Sequence, residues 1–320
     1  MIRVGVLGAG NHSWHNHGPA LNRAEKHHPE LVTCAAVCDL DRDRAINYAN
    51  RFGFDQVYTD IDAMLAEAGI DAIIAITPVD RTRTIAGDLL AADIPVLLEK
   101  PPGRTVADAQ ALRSIANHHE TPHMVSMNRR YNPALTRATE TMAAHADHPP
   151  EIARATMIRV DRHEPRFLQN TGIHLTDAVG ALIGPPKTVE TTRWRDGSDG
   201  HVCTATSHHQ EATANLLFAS SAGEPVEEFE LFGNGVSARI NTHATACEVI
   251  IEGDSILTWQ ASDEMPRFVR NGTYHETIAF VEAAAGKRDF HPTLSDVLPA
   301  YALAAALEAD RSGPISMGEG

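Results

Sequence analysis

The sequence predicts an α/β protein in two parts: an N-terminal doubly wound parallel sheet, then a C-terminal α+β domain built on a large, mostly antiparallel open sheet. Two observations carry this. Residues 1–123 alternate short, continuous Ile/Val/Ala-rich runs with helical patterns, the mark of a parallel sheet covered on both faces and joined by right-handed crossovers. From about residue 150 the pattern becomes period-two alternation of β-branched residues with turns such as GNG and EGD, the mark of a sheet with one buried face. The domains are accordingly placed at 1–123 and 124–320, the second expected to bind substrate and to mediate oligomerisation.

In order, the strand runs of the first part are IRVGVLG, LVTCAAVCD, DAIIAITP and IPVLLEKP, with HMVSMN as a further strand closing the series. Between them ALNRAEKHH, DRAINYANRFG, DIDAMLAEAG, TIAGDLLAAD and VADAQALRSIANHH carry helical spacing. The second part reads as strands IARATMIRV, TVETTRWR, HVCTATSHH, ATANLLFAS, EEFELFG, ACEVIIEG and SILTW. Its tail returns to helix with TYHETIAFVEAAAG and TLSDVLPAYALAAALEAD.

Composition narrows the function. A hydrophobic share of 43% and a charged share of 22% are those of a globular protein rather than a disordered or fibrous one. The formal charge of −15, from 27 Lys+Arg against 42 Asp+Glu, argues against a nucleic-acid or anionic-membrane surface. Any anionic ligand must be held by local groups. No leader-like segment and no run of about 18 apolar residues is found, so a cytoplasmic protein is expected. Four cysteines without a CxxC spacing read as buried, reduced thiols.

The segment GAGNHSWHNHG directly follows the first strand run. Gly8 and Gly10 supply the tight turn and close backbone approach of a dinucleotide loop, with Asn11 and His12 beside it and Ser13 in the place of the third glycine of GxGxxG. This makes the first domain a Rossmann doubly wound parallel sheet that binds NAD(P). Asp39, ending the second strand, can accept hydrogen bonds from the adenosine ribose and would repel a 2′-phosphate, which favours NAD over NADP. Its competing role is that of N-cap to the helix that follows. His12, His15 and His17 invite a metal reading, but a histidine-only cluster lacks further ligands, and no metal is expected. Glu99 and Lys100 end a buried parallel strand just before Pro101, where open α/β sheets place their ligands. A lysine there can give a proton to a carbonyl or hold an alkoxide while hydride moves.

VGVLGAG, VCDLD, ITP followed after a helix by EKP, and MNRRYNP together resemble the glucose-fructose oxidoreductase and inositol dehydrogenase (Gfo/Idh/MocA) family over nearly the whole chain. The resemblance implies a catalytic Lys100 and cofactor contacts from Thr77, Pro78, Glu99, Lys100 and Asn128. In that family an Asp-x-x-x-His pair on one helix lines the substrate site. Here the pair reads Asn170 and His174: the histidine is the candidate acid/base, and the amide can orient a hydroxyl but cannot take a proton. Thr82 stands where the family often has histidine. Arg129, His163, Arg166 and Asp177 are the candidate substrate-binding side chains, with Asp177 alternatively bonding a neighbouring helix.

The expected activity is hydride transfer between NAD and a carbinol or carbonyl carbon of a sugar, polyol or sugar-like substrate in a homodimer or homotetramer, with Lys100 and His174 handling the proton from either side. A catalytically silent NAD-binding sensor or regulatory subunit is the alternative, motivated by Asn170 and Thr82. A metal-dependent hydrolase built on the opening histidines is a third reading.

Overall fold

The computed structural model describes residues 1–195 and 201–315. They form two compact units, Met1–Asn128 with Arg267–Asp296, and Arg129–Pro266 with the chain from Val297 onward.

The first unit holds β1 (Ile2–Leu7), α1 (Asn11–His15), α2 (His17–His27), β2 (Val32–Cys38), α3 (Arg42–Phe52) and β3 (Gln56–Tyr58). It continues with α4 (Ile61–Glu67), β4 (Ala72–Ala75), α5 (Val79–Ala91), β5 (Val96–Leu98), α6 (Val106–His119) and β6 (His123–Val125). The six strands are ordered β3-β2-β1-β4-β5-β6, with every neighbouring pair parallel. Val4, Val6, Ala35, Val37, Ile73, Ile74, Leu97 and Leu98 are buried, which explains the continuous apolar runs: strands covered on both faces have no polar side to alternate with. The strand order reverses between β1 and β4, so the loops leaving Leu7 and Ala75 open a crevice at the carboxyl ends of these strands. β3 is a three-residue edge strand with too little apolar sequence to announce itself.

The second unit begins within a 3-10 turn at Asn128–Tyr131 and holds α7 (Pro133–His145), β7 (Ile152–Ile158), α8 (Phe167–Asn170), α9 (Ile173–Ile183) and β8 (Thr188–Arg195). β9 (His201–His208), β10 (Thr213–Ala219), β11 (Val226–Gly233), β12 (Val236–Asn241), β13 (Ala246–Ile251) and β14 (Asp254–Gln260) follow. Next come α10 (Arg267–Arg270) and α11 (Thr273–Ala284), which belong to the first unit, then α12 (Leu294–Glu308) and β15 (Gly313–Pro314). The nine-stranded sheet runs β14-β13-β12-β11-β7-β10-β9-β8-β15, antiparallel throughout except for β7 beside β10. One face carries Met157, Phe218, Phe229, Leu231 and Val249 and is covered by Leu135 and Met142 of α7, Leu175 and Val179 of α9, and Leu303 and Leu307 of α12. The alternate residues, among them Arg154, Asn215, Glu228 and Arg239, are exposed.

The segment 267–296, whose helix was assigned to the second part with the rest of 124–320, clusters with the first unit, where α11 packs along α2. All four cysteines are free and buried. Among the described residues no helix is long and apolar enough to cross a membrane.

Candidate active site

The loop after β1 is built by close contacts that specify its residues. Gly8 has φ +99°, and a Cβ there would lie 2.2 Å from the Ile76 carbonyl oxygen, so only glycine fits. A Cβ on Gly10 would meet no atom of the described residues within 4 Å, leaving its outer side open to approach. Ser13 is buried and bonds Tyr48, Oγ to Oη 2.8 Å, so a hydroxyl pair replaces the bare contact of a third glycine. That bare contact moves to Gly18 on α2, where a Cβ would sit 2.6 Å from the Phe52 ring of α3.

Asp39 is buried and its carboxylate serves the loop: Oδ2 accepts from the Ala9 amide at 2.8 Å, while Oδ1 accepts from the Asp41 amide at 2.9 Å and the Arg44 guanidinium at 3.3 Å. The N-cap of α3 is Asp41, whose side chain accepts from the Arg44 amide, so capping is not the work of Asp39. Across the crevice from β1, Thr77 Oγ1 lies 3.1 Å from Thr82 Oγ1, and Thr82 in turn donates to the Pro78 carbonyl at 3.2 Å. The threonine that replaces a family histidine is thus an internal brace, buried within the first turns of α5.

At the end of β5 the structure brings together residues that the sequence listed separately. Glu99 is buried, and its Oε1 lies 2.9 Å from both His12 Nε2 and His17 Nε2. Its Oε2 accepts from the Lys100 amide at 3.0 Å. Burial pushes this carboxyl up, but nearby His12 and the hydrogen bonds from His12 and His17 outweigh it and hold Glu99 well below the usual carboxylate range. The three side chains offer donor atoms within 4.8 Å of one another, a spacing that suits a cation and equally suits two N–H···O bonds. Lys100 is half-buried and its bond to Pro101 is cis. Asn11 is exposed at the start of α1, and Asn128 donates from Nδ2 to the Asn271 carbonyl at 2.9 Å.

In the second unit His174 is buried near the start of α9, and Asn170 closes the separate short helix α8. The two therefore lie on consecutive helices rather than one, because the chain breaks at Thr171-Gly172; a Cβ on Gly172 would lie 2.4 Å from the Leu168 carbonyl oxygen. Asn170 donates from Nδ2 to the Pro165 carbonyl at 2.9 Å. Asp177 is fully buried and grips Arg130 in a bidentate pair, both bonds 2.8 Å. Arg129 grips Glu227 in the same way, at 2.6 and 3.1 Å. His163 is exposed and bonded to Asp161 at 2.7 Å, and Arg166 is exposed with a left-handed φ of 57°.

Glu227 is the residue that sequence reasoning missed. It also binds Arg159 and accepts from Thr242 Oγ1 at 2.9 Å. Burial alone would raise its pKa, but Arg129 first, then Arg159 and His174, hold it well below the carboxylate range. A signal was present: in VEEFELFG, strand parity puts Glu227 on the same face as Phe229 and Leu231, so an acid was due to be buried there.

A six-stranded parallel sheet with a glycine turn and an acidic second-strand end defines the class, and comparison with known proteins agrees. Residues 2–127 match the Gfo/Idh/MocA family model, described as "Oxidoreductase family, NAD-binding Rossmann fold". Among curated relatives it is similar to a D-apiose dehydrogenase of Paraburkholderia graminis, 24% identical over 60% of this chain and 55% of that one. The chain spans a little over half the length of the curated D-apiose dehydrogenases it matches. Among solved structures it superimposes on a dehydrogenase from Chromobacterium violaceum with a TM-score of 0.86, at 19% identity over 97% of this chain and 95% of that one. A levoglucosan dehydrogenase in complex with NADH gives a TM-score of 0.82 at 16% identity, over 98% of this chain and 99% of that one.

Proposed function

We propose that the chain is an NAD-dependent oxidoreductase that transfers hydride between nicotinamide and a carbinol or carbonyl carbon of a sugar, polyol or sugar-like substrate. The observation that carries this is the convergence of Gly8, Asp39 and the Glu99-Lys100 pair at the carboxyl ends of β1, β2 and β5. The residues suit a dinucleotide: Gly8 admits no side chain, Gly10 faces open space, and Asp39 is a buried carboxylate already bonded to the loop amide. Asn11, His12, Thr77, Pro78, Glu99 and Asn128 are the further candidate contacts. A carboxylate at the ribose accepts from its hydroxyls and opposes a 2′-phosphate, which supports NAD over NADP. The names of the relatives, D-apiose and levoglucosan dehydrogenases, support a sugar-type substrate.

When bound, NAD takes up or releases the hydride. In the oxidation, Lys100 Nζ receives the hydroxyl proton as hydride leaves the carbon; in the reduction it returns that proton to the forming alkoxide. His174 hydrogen-bonds the reacting or the neighbouring hydroxyl and shares the proton, while Asn170 orients substrate without carrying a proton. Arg129, His163 and Arg166 remain the proposed polar contacts to the sugar; Asp177 acts through Arg130, the residue it grips.

The test is turnover with NAD and a panel that includes D-apiose, levoglucosan and keto-sugars. Activity that is lost in Lys100→Ala supports the reading. NAD binding without turnover on any member moves the sensor reading to first place, a reading motivated by the amide at position 170.

A further inference from the structure

The direction of the hydrogen bonds around His12 can be read from one fixed donor. The Thr273 backbone N–H donates to Asn271 Oδ1 at 3.0 Å, so the Asn271 amide nitrogen is the end that faces Asn16, and Nδ2 donates to Asn16 Oδ1 at 2.8 Å. Asn16 must then present its own NH2 to His12. Its Nδ2 lies 3.1 Å from the His12 carbonyl oxygen and 3.4 Å from His12 Nδ1. Nδ1 is therefore the acceptor, the ring proton sits on Nε2, and it is donated to Glu99. His17 completes the arrangement from the buried side; its Nε2 also faces Glu99, and its Nδ1 is buried with no partner among the described residues. A bare lone pair is tolerable there, whereas an N–H would be a stranded donor.

This direction decides between the two uses of the cluster. Metal ligation through both Nε2 atoms would need both rings to carry their proton on Nδ1, against the Asn16 amide in one case and against a partnerless buried wall in the other. Two N–H···O bonds to an ionised Glu99 require neither. The remaining oxygen of Glu99 holds the Lys100 amide.

We propose that His12 is a positioning residue that couples occupation of the dinucleotide loop to the backbone of Lys100 through Glu99, with Asn271 and Asn16 setting its tautomer. The proposal rests on the reading of Lys100 as the proton carrier. His12 suits the role because its side chain is 53% exposed beside the glycine turn, whereas that of its partner Glu99 is 9% exposed. A ligand at the loop meets the ring; the ring meets the carboxylate; the carboxylate holds the amide.

The experiment uses the whole chain labelled with 15N-lysine, which has four lysines, Lys26, Lys100, Lys187 and Lys287, so the Lys100 amide is identified by its loss in Lys100→Arg. The probe is ADP-ribose, which carries the diphosphate but no nicotinamide ring to perturb Lys100 directly. Saturating ADP-ribose is expected to shift the Lys100 amide in the wild type and in His12→Gln, whose amide can still donate to Glu99. In His12→Leu, at an ADP-ribose concentration that calorimetry shows to be saturating for that variant, the shift should fall by more than half. An undiminished shift in His12→Leu, or binding to the wild type with no shift, overturns the coupling but leaves the dinucleotide reading intact. Failure of both ADP-ribose and NAD to bind overturns the two together.

Discussion

A buried carboxylate with every oxygen engaged is costly to alter, and two of them can be tested singly. Asp39 holds Ala9, Asp41 and Arg44. Asp39→Asn keeps an acceptor for the loop and removes the charge, so NAD affinity should fall by about tenfold while NADP gains relative to it; equal or tighter NADP binding by the wild type in calorimetric titration would contradict the preference. Glu227 compensates Arg129 and Arg159. Because its folded pKa is depressed, its contribution is fully present above the unfolded carboxylate range and is lost as pH falls toward the folded value. Glu227→Gln strands two guanidiniums and should cost about 3 to 5 kcal/mol at neutral pH, with a shallower loss of stability on acidification than the wild type, read from urea midpoints at pH 7 and pH 4. Lys100→Ala should lower kcat by about 100- to 10,000-fold with NAD affinity nearly intact. His174→Ala should do likewise with a larger rise in substrate KM. Full turnover by Lys100→Ala on an established substrate would remove the assignment.

How helices and strands meet explains what the sequence could and could not disclose. The parallel strands were legible because double coverage leaves no polar residue in Val4 to Val6 or Ala35 to Val37. The nine-stranded sheet was legible through its alternation, as in Ala153, Ala155 and Met157 of β7. The glycine that seats helix on helix was not, because the motif points to position 13 and the contact falls at Gly18, one helix later. Gly18→Ala forces a methyl against Phe52 and Tyr48 and should cost about 1 to 3 kcal/mol, visible as a lowered Tm; an unchanged Tm would mean that α2 can move away from α3. The clasp on Glu99 was half legible. Glu99 and Lys100 stood out at a strand end, and His12 beside a glycine turn, but the 82 residues between His17 and Glu99 carry no pattern that pairs them. Asn271 is harder still: its link to Asn16 spans 255 residues and depends on α11 packing along α2. The break between α8 and α9 was hidden because FLQNTGIHLTDAV keeps helical spacing through the Gly172 kink.

Association of whole chains follows from what the nine-stranded sheet leaves uncovered. Its apolar side is packed under α7, α9 and α12 of the same chain, which leaves the opposite side for association. The opposite side is mixed. Leu217, 36% exposed, lies directly opposite Thr156 and Thr204 in the strand register, and Ile152, 46% exposed, lies further along β7 on the same side. The same side carries charge pairs from β7 to β13, Arg154 with Glu230 and Arg239 with Glu248. Exposed apolar and threonine surface on central strands, interspersed with charges that are already paired, is the composition of a mixed protein interface. A self-complementary two-fold contact of this face would leave few charges unpaired, because the ion pairs already close within each copy. A homodimer is therefore expected at micromolar concentration, and sedimentation should return twice the chain mass. Leu217→Glu should shift it toward monomer without lowering Tm, since the side chain points away from the core. A wild-type monomer under those conditions refutes the association, and a dimer that survives Leu217→Glu places the contact on another surface.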